Sequence, residues 1–300
     1  MPPDRFRSGF VALIGRPNVG KSTLLNRLVG TKVAIVSEKP QTTRHQIRGV
    51  LTLPHAQVVF VDTPGLHKPR DFLGEQLNVN VKRALADVDA VVFLVDSWAG
   101  IGRGDEFVAS EILRSGKPAI LVLNKIDRLA GSALEEQLAK AAELGPFRRV
   151  LPVSATKGEN LGELLQTVIE LLPEGPKYYP DEDTSDQPLE VLVAELVREK
   201  VLQLTHEEVP HSVGVEVDRI EKRRGRSLYD VEVSIVVERP SQKGIVIGKG
   251  GALLKEAGRL AREEIQALLG GQVYLDLKVK VRKGWRKDER SLRRFGYLSE

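Results

Sequence analysis

The octapeptide GRPNVGKS at residues 15–22 constrains this chain more than any other feature, because it directly follows the apolar run FVALI and directly precedes the amphipathic stretch KSTLLNRLVG. It fits G-x-x-x-x-G-K-[ST], a turn whose glycines let backbone N–H groups converge on phosphate oxygens between a strand end and a helix N-terminus. Four further short apolar runs, VVFVD, AVVFLVD, AILVLN and RVLPVS, alternate with amphipathic stretches such as ALEEQLAKAAELG. That alternation predicts an α/β unit built on a mostly parallel sheet.

At 300 residues the chain is long enough for two cores. The helical pattern NLGELLQTVIELL stops at Pro173, and PEGPKYYPDEDTSDQP reads as a linker of prolines, glycines and acids. Beyond it come a helical stretch (LEVLVAELVREKVLQLT), two alternating strands (VGVEVDRI and YDVEVSIVVE), a glycine-rich turn, a helix and a last strand (VYLDLKVKV), an α+β pattern. The expected division is residues 1–173, a linker at 174–188, an α+β domain at 189–283 and a basic terminal segment at 284–300.

Composition narrows the chemistry. With 41% apolar and 29% charged residues the chain reads as globular, no apolar run approaches the roughly 20 residues of a membrane span, and the N-terminal stretch lacks the form of a secretory signal. The chain has no cysteine, which excludes disulfides, thiolate metal sites and cysteine nucleophiles and fits a cytoplasmic home. Its five histidines show no metal-ligand spacing, so any metal must be held by oxygen. Charge is uneven: residues 222–294 hold 19 Lys and Arg against 9 Asp and Glu, a net of +10, whereas residues 1–221 carry a net of −5. A basic C-terminal end expects an anionic partner.

In the first unit the phosphate turn is expected to use Gly15, Arg16, Pro17, Asn18, Val19, Gly20, Lys21, Ser22 and Thr23, with Lys21 reaching the β and γ phosphates and the Ser22 hydroxyl on Mg2+. The choice of base falls to NKID at residues 124–127. The Asp127 carboxylate can accept from N1–H and the exocyclic amine of guanine, whereas adenine would leave it unpaired. Asn124 would bridge base and phosphate turn, the Lys125 stem would cover the base, and the SAT at residues 154–156 would bring Ser154 to the nucleotide and supply the Ala155 N–H to guanine O6. DTPG supplies Asp62 for a Mg2+ water and Thr63, Pro64 and Gly65, with the Gly65 N–H at the γ-phosphate. In QTTRH either Thr42 or Thr43 could close over Mg2+. Leu66 stands where many GTPases place a water-orienting glutamine, so slow intrinsic hydrolysis is expected. Asn18 is a candidate ligand for a monovalent cation, K+.

In the second unit IVIGKGG places a G-x-x-G turn before a helix, an arrangement that can clamp a nucleic-acid backbone. Ile247, Gly248, Lys249, Gly250 and Gly251 form the turn, with Lys243, Lys255, Arg259 and Arg262 around it. The order of helix, two strands, G-x-x-G, helix and strand matches a type II KH domain. Trp285 is expected in a packed position.

The set GRPNVGKS, QTTRH, DTPGL, NKID and SAT, followed by a KH-like unit and the ending GW…DER.LR..GYL, resembles the Era family over nearly the whole chain. The resemblance implies a monomeric GTPase, with Mg2+ and GTP, that binds 16S ribosomal RNA near its 3′ end and assists assembly of the 30S subunit, in the cytoplasm with peripheral association to the inner membrane. Two other readings stay open: a GTPase acting in tRNA modification, opposed by the KH-like unit, and an RNA-binding module with a degenerate nucleotide site, opposed by intact Lys21, Ser22, Asp62 and Asp127.

Overall fold

The computed structural model describes residues 6–37, 39, 43, 44, 46–66, 72–206, 209–295 and 297, and the chain divides into two units, 1–34 with 43–186 and 35–42 with 187–300.

The first unit runs β1 (Arg7–Gly15), α1 (Lys21–Val29), β2 (Ile47–Leu53), β3 (Ala56–Asp62), α2 (Phe72–Asp87), β4 (Ala90–Asp96), α3 (Arg103–Arg114), β5 (Ala119–Asn124), α4 (Ala133–Glu143), β6 (Val150–Pro152) and α5 (Leu161–Leu171). Its six strands are ordered β2-β3-β1-β4-β5-β6, all parallel except β2, which pairs antiparallel with β3. Successive residues feed opposite faces: Val11 and Leu13 enter one apolar cluster, Ala12 and Ile14 the other. Both faces are therefore covered, which explains the unbroken apolar runs. Because β1, β3, β4 and β5 are parallel, their last residues Gly15, Asp62, Asp96 and Asn124 reach the same edge of the sheet. The chain goes from β1 to β3 on one side and to β4 on the other, and ligand crevices form at such a reversal.

Strand β2 is the element the apolar runs do not announce. Its sequence IRGVLTL breaks the alternation with Gly49, where a Cβ would meet Leu25 Cδ1 at 2.6 Å, so the glycine is what lets α1 lie against the strand. The stretch expected as a linker is strapped along this unit as far as residue 186. Ser8 Oγ donates to the Pro176 carbonyl at 2.6 Å, the Tyr178 and Tyr179 N–H groups donate to Gln57 Oε1, and Arg48 pairs with Asp186 at 2.9 Å. Prolines and acids kept it out of regular structure without freeing it.

The second unit runs α6 (Leu189–Leu204), α7 (Val209–Ser212), β7 (Gly214–Lys222), β8 (Leu228–Val237), α8 (Pro240–Ile247), α9 (Ala252–Leu269), β9 (Gln272–Val281) and α10 (Glu289–Arg294). Its sheet is ordered β7-β8-β9, with β7 antiparallel and β9 parallel to β8. Val231, Val233, Ile235 and Val273 join residues of α6 and α9 in one apolar cluster. Other side chains of β7, β8 and β9, with Arg282 just past the end of β9, form a charge ladder: Lys278 pairs with Glu232 at 2.7 Å, Lys280 with Asp218 at 3.5 Å and Arg282 with Glu216 at 3.3 Å. The basic excess of β9 is thus largely answered by acids on β7 and β8.

Helix α8 was hidden because its end, IVI, is β-branched and reads as strand. It forms because Pro240 opens its first turn and Gln242 Oε1 accepts from the Glu238 and Arg239 N–H groups, each at 3.0 Å. Trp285 is fully buried, as its packed reading required; its Nε1 donates to the Ser212 carbonyl at 3.0 Å, and its ring centroid lies 5.0 Å from that of Phe295. No helix among the described residues is long and apolar enough to cross a membrane.

Candidate nucleotide site and nucleic-acid interface

The phosphate turn is held by backbone conformations that few residues adopt. Gly20 sits at φ +102° and Asn18 at φ +65°, and a Cβ at Gly65 would meet the Pro17 nitrogen at 2.5 Å, which ties the DTPG turn closely to the phosphate turn. The Leu66 N–H donates to the Gly15 carbonyl at 3.1 Å, and its side chain is buried in the sheet-helix core. Leu66 is a packing residue and cannot orient water.

Lys21 is buried at the start of α1, with Nζ donating to the carbonyls of Gly15 at 3.2 Å and Arg16 at 3.0 Å. Burial pushes its ammonium down to about 8, opposed by the nearby Asp62 carboxylate. Asp62 is fully buried, and burial raises its carboxyl above the usual range against the pull of Lys21 and two hydroxyls. Those hydroxyls are Ser22 Oγ at 2.6 Å and Thr43 Oγ1 at 3.3 Å, themselves 3.0 Å apart. The other carboxylate oxygen, Oδ1, is buried with no hydrogen-bond partner among the described residues. Two hydroxyls and a half-satisfied buried carboxylate form the oxygen-only donor set that suits Mg2+. Thr43 belongs to this cluster; Thr42, with Gln41 and His45, lies outside the described residues. Thr63 Oγ1 donates to the Leu13 carbonyl at 2.9 Å, Pro64 is buried, and Thr23 is half-buried on the first turn of α1.

The base motif assembles from three segments. Asn124 donates from Nδ2 to the Val19 carbonyl at 2.8 Å and accepts at Oδ1 from the Ala155 N–H at 3.0 Å. It therefore stitches the phosphate turn to the SAT turn, and the Ala155 N–H expected on guanine O6 is directed at Asn124. Asp127 is exposed, with Oδ1 accepting from Ser154 Oγ at 2.6 Å. Lys125, at φ +69°, donates from Nζ to the Asn18 carbonyl at 2.8 Å and pairs with Asp96 at 2.5 Å. Sequence reasoning missed Asp96; its only signal is a carboxylate at the end of the apolar run AVVFLVD.

In the second unit Gly248, Gly250 and Gly251 have φ of +74°, +60° and +81°, so the turn between α8 and α9 is built on left-handed backbone. Space is open where a Cβ of Gly250 would stand. Lys243, Lys249 and Lys255 are exposed and form no ion pair among the described residues, and Ile247 is half-buried beside them. Arg259 differs: it pairs with Glu256 at 2.8 Å and Glu263 at 2.6 Å, so its charge is answered locally.

A family model described as a 50S ribosome-binding GTPase matches residues 10–125, and a KH-domain model matches residues 208–286. The chain is 47% identical over 292 residues to the GTPase Era of Alkaliphilus oremlandii, covering 97% of this chain and 99% of that one, and 48% identical over 294 residues to that of Staphylococcus haemolyticus, covering 98% of each. Among solved structures it is similar to Era in complex with MgGDPNP and nucleotides 1506-1542 of 16S ribosomal RNA, with a TM-score of 0.95 at 40% identity over 98% of this chain and 100% of that one. A variant of Aquifex aeolicus Era bound to GDP.AlF4- gives a TM-score of 0.94 at 40% identity over the same shares. With phosphate turn, base motif and G-x-x-G turn in place along one chain, this GTP-hydrolysing protein belongs to the Era family.

Proposed function

We propose that the chain is a GTP-operated RNA-binding factor that engages 16S ribosomal RNA near its 3′ end and assists assembly of the 30S subunit. The observation that carries the RNA half is the glycine turn at residues 248–251, flanked by the exposed Lys243, Lys249 and Lys255, in a chain so similar to an Era solved with that RNA. Open space over Gly250 leaves a phosphate backbone free to approach the peptide.

In the nucleotide unit, Ser22, Thr43 and Asp62 would hold Mg2+, which supplies charge neutralisation at the β and γ phosphates. Lys21 binds the same oxygens and must exchange the Gly15 and Arg16 carbonyls for them. Gly65 brings the DTPG backbone to the γ-phosphate end. Asp127, oriented by Ser154, selects guanine. Leu66 cannot position the attacking water, so intrinsic hydrolysis is slow unless another group or a partner does so. Asn18 is the residue for a K+ ion beside the phosphates. The monomeric state and a peripheral contact with the inner membrane rest on the family likeness alone.

The test is RNA affinity, measured with a fragment covering the 3′ end of 16S RNA and a scrambled fragment, with a non-hydrolysable GTP analogue, with GDP and without nucleotide. The proposal expects preference for the true fragment and tighter binding with the GTP analogue, and linkage then requires RNA to tighten that analogue by the same factor. Equal affinities in all three nucleotide states leave two independent modules and refute the switch.

A further inference from the structure

Arg16 and Asp105 stand 89 positions apart in sequence, and their side chains meet: Arg16 Nη1 lies 2.9 Å from Asp105 Oδ2. Asp105 sits in the first turn of α3, outside every motif discussed above, and its side chain is 1% exposed. A carboxylate so buried is retained only when something charged or polar answers it. Its Oδ2 also accepts the Gly102 N–H at 3.0 Å, which fixes its rotamer, while its Oδ1 is buried with no hydrogen-bond partner among the described residues. The Arg16 pair is thus the main compensation for the buried charge.

Arg16 is engaged at both ends. Its guanidinium is on Asp105, and its carbonyl takes the Lys21 ammonium at 3.0 Å. The approach is close by construction: a Cβ on Gly104 would meet Arg16 Cδ at 2.9 Å and Nε at 3.0 Å, so glycine is what lets the start of α3 lie against the arginine stem. Asp96, the last residue of β4 before the loop leading into α3, pairs with Lys125 of the base motif.

We propose that Asp105 is a positioning residue for the phosphate end of the nucleotide site, acting through the Arg16 guanidinium to hold the turn at residues 15–21 in its phosphate-cradling form. The proposal rests on the guanine-nucleotide reading of the site and adds a residue that touches no nucleotide. Simple electrostatics and positioning predict opposite signs here. Removing a negative charge near a phosphate site should tighten an anion by Coulomb attraction; removing the anchor of the turn should loosen it.

The experiment uses the full chain and compares wild type, Arg16→Ala, Asp105→Asn and the double variant for GDP dissociation rate, guanosine affinity and thermal midpoint. Arg16 is partly exposed, and Asn keeps an oxygen for the Gly102 N–H and Arg16 Nη1, which share Oδ2, while removing the charge that holds the guanidinium, so both single variants should fold. Each should release GDP faster, by roughly 2- to 150-fold, the range of coupled contacting pairs. The double variant should release it no faster than the worse single variant, and guanosine, which lacks phosphates, should bind all four alike. Tighter GDP binding by Asp105→Asn, additive effects in the double variant, or equal losses for GDP and guanosine would each overturn the assignment, as would a lower thermal midpoint with unchanged GDP release. A wild type that binds no guanine nucleotide overturns the underlying reading as well, which separates the two failures.

Discussion

Replacing Asn124 by alanine should cost the first unit a large part of its stability before any nucleotide is added. Asn124 is 2% exposed, and its amide joins the Val19 carbonyl at 2.8 Å to the Ala155 N–H at 3.0 Å, both on residues that are themselves buried. Truncation deletes two hydrogen bonds and strands two buried backbone groups, each costing about 1–3 kcal/mol, so a loss of about 2–6 kcal/mol is expected. Against a typical domain stability of about 5–15 kcal/mol this is severe. Urea denaturation without nucleotide, followed by circular dichroism, should show a lower midpoint for this unit at an unchanged slope. Asn124→Asp makes a sharper companion. Its carboxylate still accepts from Ala155 but faces the Val19 carbonyl oxygen, so the variant should be less stable than wild type at neutral pH. As pH falls and the carboxyl gains a proton it can donate to Val19, and the gap should narrow. A loss below about 1 kcal/mol in Asn124→Ala would refute the claim that this side chain stitches the two turns, since stranded groups at that depth cannot be so cheap.

Asp127→Asn should exchange a pair of acceptors for a mixed amide and move preference from guanine towards xanthine nucleotides; titrating both against wild type and variant checks this, and unchanged GTP affinity removes Asp127 from base selection. Gly250→Asp should abolish RNA binding while the chain folds and binds GTP, because φ +60° is tolerated by Asp, the space over the position is open and the added charge repels phosphate. Lys249→Ala should reduce the slope of log affinity against log salt by about one unit or less. Lys21, held at about 8 by burial, should be raised by bound phosphates, so nucleotide binding takes up a proton; GDP affinity should be flat below pH 8 and fall by up to about tenfold per unit above it. Isothermal titration across pH 6.5–9, with guanosine as the phosphate-free control, reads this, and a flat GDP profile through pH 9 contradicts it.

What the sequence discloses is chemistry carried by contiguous residues. The turn at 15–22, DTPG, NKID and the glycines at 248–251 announce themselves because each must place several backbone groups within a few residues, and only particular residue types allow that backbone. Lys21, Ser22 and Asp62 converge as the spacing of the motifs implies, and Thr43 joins them. What stays hidden depends on partners far along the chain. Nothing local marks Asp105 as the anchor of Arg16, 89 residues away, or Asp96 as that of Lys125, 29 residues away. The IVI end of α8 shows the same limit from the other side. Its β-branched residues favour a strand in isolation, and the helix wins through Pro240, the Gln242 cap and the burial of Val246. The segment 174–186 looks like free linker because proline and acids suppress regular structure, yet its backbone and side chains are spent on Gln57, Ser8 and Arg48.

These hidden contacts share a direction. In the nucleotide unit the two residues that the sequence does not single out, Asp96 at the end of β4 and Asp105 in the first turn of α3, flank the loop between those elements and pair with the motif residues Lys125 and Arg16. On the proposed reading the motifs supply the atoms that meet phosphate and guanine, and the two carboxylates flanking that loop hold those atoms in place. If Asp127 selects guanine as proposed, an intact motif set on a chain lacking these two carboxylates should therefore retain guanine selectivity while losing nucleotide residence time, because residence depends on how firmly the two turns are held.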